Sequence, residues 1–194
     1  MDAAGQVTRA ETGSPAAGDT PSPALHGSFS LDLDFTVTRA EVFRGFADTS
    51  VRRRWFRLPG SSATAEHELD FRVGGGETAR NVFVNGDTEE RLAYRSRFLD
   101  IVPDNRILYV YEAEVDGSRR WVSLVTVELA DDPTGSRLTW TEKFTWLVPT
   151  GDGTQDLAHL RGGTRLQLNG LSAAVDPDRH RGLRRAATSV SKDH

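Results

Sequence analysis

The sequence contains no cysteine in its 194 residues, so disulfides and thiolate-bound metal are excluded, in keeping with a reducing cytosol. Histidine is sparse as well. His26, His67, His159, His180 and His194 stand apart, without the His-x-Glu-x-His or His-Glu-x-x-His spacing that turns two imidazoles toward one ion. No metal and no cofactor is therefore expected. Positive charge is not in excess, with 24 Lys and Arg against 28 Asp and Glu and a net charge of −4. With neither a basic helix nor an aromatic-basic strand to stack bases, nucleic acid is not an expected partner. No apolar run approaches the roughly 18 residues of a membrane span, and the first residues lack the apolar core of a signal peptide, so a cytoplasmic location without a membrane partner is expected. The triple glycine Gly74-Gly75-Gly76 is followed by neither Gly-Lys-Ser/Thr nor a long helix, which argues for a turn or bulge rather than a phosphate loop. A serine nucleophile elbow is missing too.

What is present reads as one domain between two tails. A chain of this length with 37% hydrophobic residues can bury a core without covalent staples. Residues 1–27 are rich in Ala, Gly, Ser, Thr and Pro, with too few large apolar side chains to offset the entropy of ordering, and are expected to be disordered. Residues 177–194 open on a helix-stopping Pro177 and continue with arginines and small polar residues, the composition of a flexible, solvated tail. Residues 28–176 carry the fold.

Phe29, Leu31, Leu33, Phe35 and Val37 alternate with polar residues, the period of a half-buried strand. Thr38-Arg39-Ala40-Glu41 then matches a capping box, and Val42, Phe43 and Phe46 follow at helical spacing. A second short helix, VRRRWF, is expected to bury Val51 and Trp55 while Arg52, Arg53 and Arg54 face solvent. HELDFRVGGG alternates with Leu69, Phe71 and Val73 inward. TARNVFV, LAYRSRFLDIV, RILYVYEAEV, RWVSLVTVELA and TWTEKFTW continue as antiparallel strands, joined by turn-forming Asn-Gly-Asp, Pro-Asp-Asn, Asp-Gly and Asp-Asp-Pro-Thr-Gly. After Gly153 the period becomes helical, with Leu157, Leu160, Thr164, Leu168, Leu171 and Val175 in one stripe. Gly162, Gly163 and Gly170 lie inside that helix, where they mark either close approach by a neighbour or a frayed first turn. The order defines an α+β fold in which a curved antiparallel sheet covers one long helix and leaves a gap suited to a small molecule.

Several of these stretches, DFRVGGGE, FLDIVPDNRILYVYEAEV, SLVTVEL, SRLTWTE and RGGTRLQLNGL, taken in this order over residues 28–175, resemble the helix-grip proteins of the START-related and polyketide cyclase superfamily. Within it the chain is most similar to the branch named for the cochaperone that activates the ATPase of heat-shock protein 90. The resemblance implies a helix-grip fold with a cavity between sheet and terminal helix. It leaves function open among carriers, cyclases and cochaperone modules. Where the family helix commonly has Gly-Thr-Arg and then Leu-Leu-Asp, this chain ends the motif on Asn169, so a carboxylate becomes an amide.

The strand TWTEKFTW places Glu142 in the aromatic row of Trp140, Phe144 and Trp146. A carboxylate facing a core needs an arginine such as Arg165 or Arg97, water, or a proton, unless it points past the sheet rim. Glu142 is accordingly the candidate polar anchor or general acid/base, with Tyr94, Tyr109 and Tyr111 as hydroxyl donors. Trp55, Phe56, Phe71, Trp121, Trp140, Phe144 and Leu168 are the candidate apolar wall. The tyrosines and wall residues serve equally as ordinary core. Three functions fit: binding of a small hydrophobic, aromatic or lipid-like molecule; a cyclase or dehydratase using Glu142 and a tyrosine; or an interaction module whose partner is a chaperone or, in a homodimer, a second copy of the chain.

Overall fold

The computed structural model describes residues 23–177, so the disorder expected for 1–22 and the flexibility expected for 178–194 lie outside the described residues. The first strand, β1 (Leu25–Phe35), starts earlier than expected, because Leu25 and His26 pair with Trp146 and Thr145. Their place in the ladder replaces the disorder anticipated through residue 27. Thr38 then caps α1 (Arg39–Ala47): its hydroxyl accepts from the Glu41 N–H at 3.3 Å and its own N–H donates to the Glu41 carboxylate at 3.0 Å. Asp48 ends that helix and starts α2 (Thr49–Trp55), accepting from the Ser50 and Val51 N–H groups.

Six further strands follow: β2 (Glu66–Leu69), β3 (Glu77–Asn85), β4 (Thr88–Val102), β5 (Arg106–Val115), β6 (Ser118–Asp132) and β7 (Gly135–Trp146). All pair antiparallel in one sheet of order β1-β7-β6-β5-β4-β3-β2. The turns match their residues. Asp116 and Gly117 both take positive φ, 53° and 77°, as a two-residue hairpin matching the strand twist requires. β2 stops at Leu69 instead of running on through Val73, which is 55% exposed. The three glycines instead fold back as a turn, with the Gly74 N–H on the Phe98 carbonyl and the Phe98 N–H on the Gly75 carbonyl. A Cβ on Gly76 would collide with the Ser96 carbonyl, so only glycine lets the two backbones approach.

Register shifts between Phe98 and Asp100 on β4, and opposite Ala113 and Glu114 where β6 carries an extra residue, bend the sheet. It curves toward α3 (Thr154–Val175), the long helix, which buries Leu160, Thr164, Leu168, Leu171 and Ser172. Leu157, expected in that stripe, lies in the first turn of the helix and stays 39% exposed. Gly162 and Gly163 are regular helical residues with open space around them, so neither fraying nor close approach accounts for them. Close approach is real at Gly170, where an added Cβ would stand 3.3 Å from Trp55 Cβ of α2. The two short helices thus pack on α3 through small residues, Gly45 against Leu171 and Val175 and Gly170 against Trp55, while the Arg54 guanidinium donates to the Ala174 carbonyl at the helix end.

Candidate functional site

Alternation on β7 turns Trp140, Glu142, Phe144 and Trp146 to the helix side, and Glu142 is 0% exposed. It does not point past the rim. Arg97 is exposed and Arg165 donates to the Asp32 carbonyl, so neither expected arginine reaches it. Its strand partners are neutral donors, one from its own strand and two from β5 and β6. Tyr111 Oη and Ser123 Oγ donate to Oε1 at 2.6 and 2.7 Å, and Trp140 Nε1 donates to Oε2 at 3.1 Å. Behind Tyr111, Trp121 Nε1 donates to the phenol oxygen at 3.1 Å, giving a relay from indole to phenol to carboxylate. Burial pushes the Glu142 carboxyl above its usual range, against the pull of hydrogen bonds from Tyr111, Ser123, Trp140 and Thr164. Burial likewise holds the Tyr111 phenol well above its ordinary range, so it remains a donor. A carboxyl poised in this way can anchor a polar atom or exchange a proton.

The aromatic side chains assemble around this relay in sequence-distant pairs. Tyr94 lies 5.1 Å from Tyr111 and 4.8 Å from Phe56, and Tyr109 lies 6.0 Å from Trp140, centroid to centroid. Trp55, Phe56, Tyr94, Tyr109, Tyr111, Trp140 and Leu168 are buried in one cluster, with Trp121 at its margin. Phe71 belongs to the far side, between Phe43 and Phe98. Phe144 joins a second cluster with Trp146 and Leu160. Where a gap between sheet and helix was expected, these rings touch one another. The concavities described lie elsewhere: a broad depression of about 810 Å³ on the outer face, floored by Val110, Val122 and Leu124, and two smaller ones of about 310 and 390 Å³ that meet at His67 and Ala79.

A second polar group lies on the same interior side. Arg52, taken from the sequence as solvated, is 3% exposed. Its Nε and Nη2 donate to the two oxygens of Glu77 at 2.7 and 2.6 Å, and His67 Nε2 lies 2.7 Å from Glu77 Oε1. Burial raises the Glu77 carboxyl, but the charge and hydrogen bonds of Arg52 and His67 outweigh it and leave the group below the usual carboxylate range. Burial lowers the Arg52 guanidinium and Glu77 more than reverses this. The guanidinium carbon stands 4.1 Å from the Trp55 ring centre and 4.4 Å from that of Phe56.

The run Arg52-Arg53-Arg54 conceals this pair, since a seven-residue helix has no face long enough to separate inside from outside. A signal was present on the strands. Glu77, Ala79 and Asn81 share one face of β3, and Trp121, Ser123, Val125 and Val127 share one face of β6.

A bent antiparallel sheet clasping one long terminal helix, with an aromatic inner face broken by buried polar groups, defines a helix-grip protein. Residues 36–176 match the family described as Activator of Hsp90 ATPase homolog 1-like protein, and the chain belongs to that family. Similar solved structures include a Rhizobium loti protein, 35% identical over 79% of this chain and 99% of that one with a TM-score of 0.67. A Rhizobium leguminosarum protein is 31% identical over 79% of this chain and 96% of its own, also with a TM-score of 0.67. A Chromobacterium violaceum protein is 25% identical over 78% and 99%, with a TM-score of 0.57. Among curated proteins none matches. No helix among the described residues is long and apolar enough to cross a membrane, and no group of three or more His, Asp or Glu among them is placed to hold a metal ion.

Proposed function

We propose that this domain binds a small hydrophobic molecule, aromatic or lipid-like, against the inner face of the sheet, with Glu142 as its polar anchor. The observation that carries the reading is a fully buried carboxylate without a cationic partner among the described residues, held instead by Tyr111, Ser123 and Trp140 within an aromatic surface. A core needs no such group. Burying a carboxylate costs several kcal/mol, and an apolar residue of similar volume would relieve that cost. Because the rings touch, admission of a guest requires them to turn, and the concavities beside Phe56, His67 and Tyr94 support entry from the β2–β3 end.

The phenol 2.6 Å from the carboxylate favours a second reading, a cyclase- or dehydratase-type reaction with Glu142 and Tyr111 exchanging a proton. The chaperone reading draws on the family's description alone. Native mass spectrometry of the protein purified from its own host tests the first reading. A single retained small molecule, released on unfolding, is expected; empty protein across several growth conditions overturns it. Glu142→Gln separates carrier from enzyme, since a carrier changes affinity modestly while an enzyme loses turnover and still binds.

A further inference from the structure

Arg52 has one edge to spare. Its Nε and Nη2 are consumed by Glu77, whereas Nη1 is buried and meets no acceptor among the described residues. A buried donor of a charged group left unmade costs more than an ordinary unsatisfied amide, and guanidinium hydrogens point in the plane of the group, so only an acceptor arriving in that plane can satisfy it. The surroundings are apolar: the rings of Phe46, Trp55 and Phe56 lie within 5.5, 4.1 and 4.4 Å of the guanidinium carbon. Phe56 in turn lies 4.8 Å from Tyr94, and Tyr94 lies 5.1 Å from Tyr111, the donor to Glu142, so ring contacts lead from the guanidinium to the aromatic face that carries Glu142. Arg52 therefore belongs to the proposed binding surface, at the end opposite the Trp121–Tyr111 relay.

We infer that Arg52 Nη1 is a recognition donor, and that the molecule taken up on the inner face presents to it a neutral acceptor oxygen, of the ketone, ester or amide carbonyl class. This inference rests on the binding function proposed above and names the chemical class of the guest. Charge decides between a carbonyl and a carboxylate. Glu77 already balances Arg52, and Glu142 adds a second carboxyl on the same interior side. An anionic guest would introduce a further negative charge into surroundings of low dielectric. A neutral oxygen satisfies the donor without that cost.

Three probes of like shape test it: 1-acetylnaphthalene, which has a carbonyl; 1-ethylnaphthalene, which has none; and 1-naphthoate, which carries a charge. Affinities are read at neutral pH by quenching of tryptophan fluorescence in the full chain. The acetyl compound is expected to bind at least about tenfold tighter than the ethyl compound, the factor a hydrogen bond to a charged group supports, and tighter than naphthoate. Arg52→Lys keeps a cation for Glu77 but has no second in-plane edge, and brings the acetyl-to-ethyl ratio to about one. Should that variant fail to fold, nitrogen-15 spectra of the wild-type guanidinium replace it, with the Arg52 Nη signals moving on addition of the acetyl but not the ethyl compound. Equal binding of the two neutral probes overturns the inference and leaves the binding function standing. A preference that survives in Arg52→Lys, or tighter binding of naphthoate, also overturns it. Failure of every probe to bind overturns both.

Discussion

Replacement of Glu77 by Gln isolates the buried ion pair. The substitution preserves shape and keeps one acceptor for Arg52, but it leaves a guanidinium that is 3% exposed without its counter-charge. Breaking a buried pair by removing one partner costs about 3 to 5 kcal/mol, against at most about 1 kcal/mol for an exposed pair. Neither Arg52 nor Glu77 has the solvent contact that would discount the larger figure. For a domain of this size the loss corresponds to a fall in Tm of roughly 6 to 20 °C, read by calorimetry or circular dichroism. The pH dependence has a definite sign. Glu77 has a depressed folded-state pKa, so its stabilisation is complete above the unfolded value of about 4.3 and disappears as pH falls through the folded value. Wild type should therefore lose stability in acid more steeply than Glu77→Gln. The double variant Arg52→Met, Glu77→Leu removes both charges and should be less destabilised than the sum of the single variants. A loss under about 1 kcal/mol in Glu77→Gln, or strict additivity in the cycle, would refute the claim that the pair is a buried, mutually dependent unit.

Two further outcomes follow from the geometry. Tyr111→Phe removes the shortest hydrogen bond to Glu142 and should raise that carboxyl further; since a raised acid loses its contribution as pH climbs from the unfolded to the folded pKa, the deficit, about 1 to 3 kcal/mol, should appear at neutral pH and shrink in acid melts. Gly162→Ala and Gly163→Ala, in helix with open space around each Cβ, should each raise stability by up to about 1 kcal/mol in urea titrations.

The strand and helix order was legible because it is written in local periodicity: the 2.0 and 3.6 repeats, the Thr38–Glu41 box and the Asp116-Gly117 turn all act within a few residues. Glu142's inward direction was legible for the same reason. Of its partners, Tyr111 was among three tyrosines the alternation offered as donors, but which of them meets Glu142, and that Ser123 joins it, was not legible, because they reach it across 31 and 19 residues through sheet register. Arg52 misled for a related reason. A guanidinium is buried only when a carboxylate meets it, and Glu77 arrives from a strand 25 residues away whose register is set by β4. Val73 misled because three glycines turned the chain before the alternation could continue.

β1 forms the outer margin of the sheet: among the described residues it has a neighbour strand only on its β7 side, and such an edge is a place where a further strand can pair. Arg165 of α3 lies over this margin and donates to the Asp32 carbonyl, while the side chains of Asp32 and Asp34 add negative charge and are tied down by Thr139 and Arg137. An arriving strand would have to displace the guanidinium and sit beside two acids. Ribbon-by-ribbon extension at β1 is thereby discouraged, and copies of this chain that associate are steered toward some other surface.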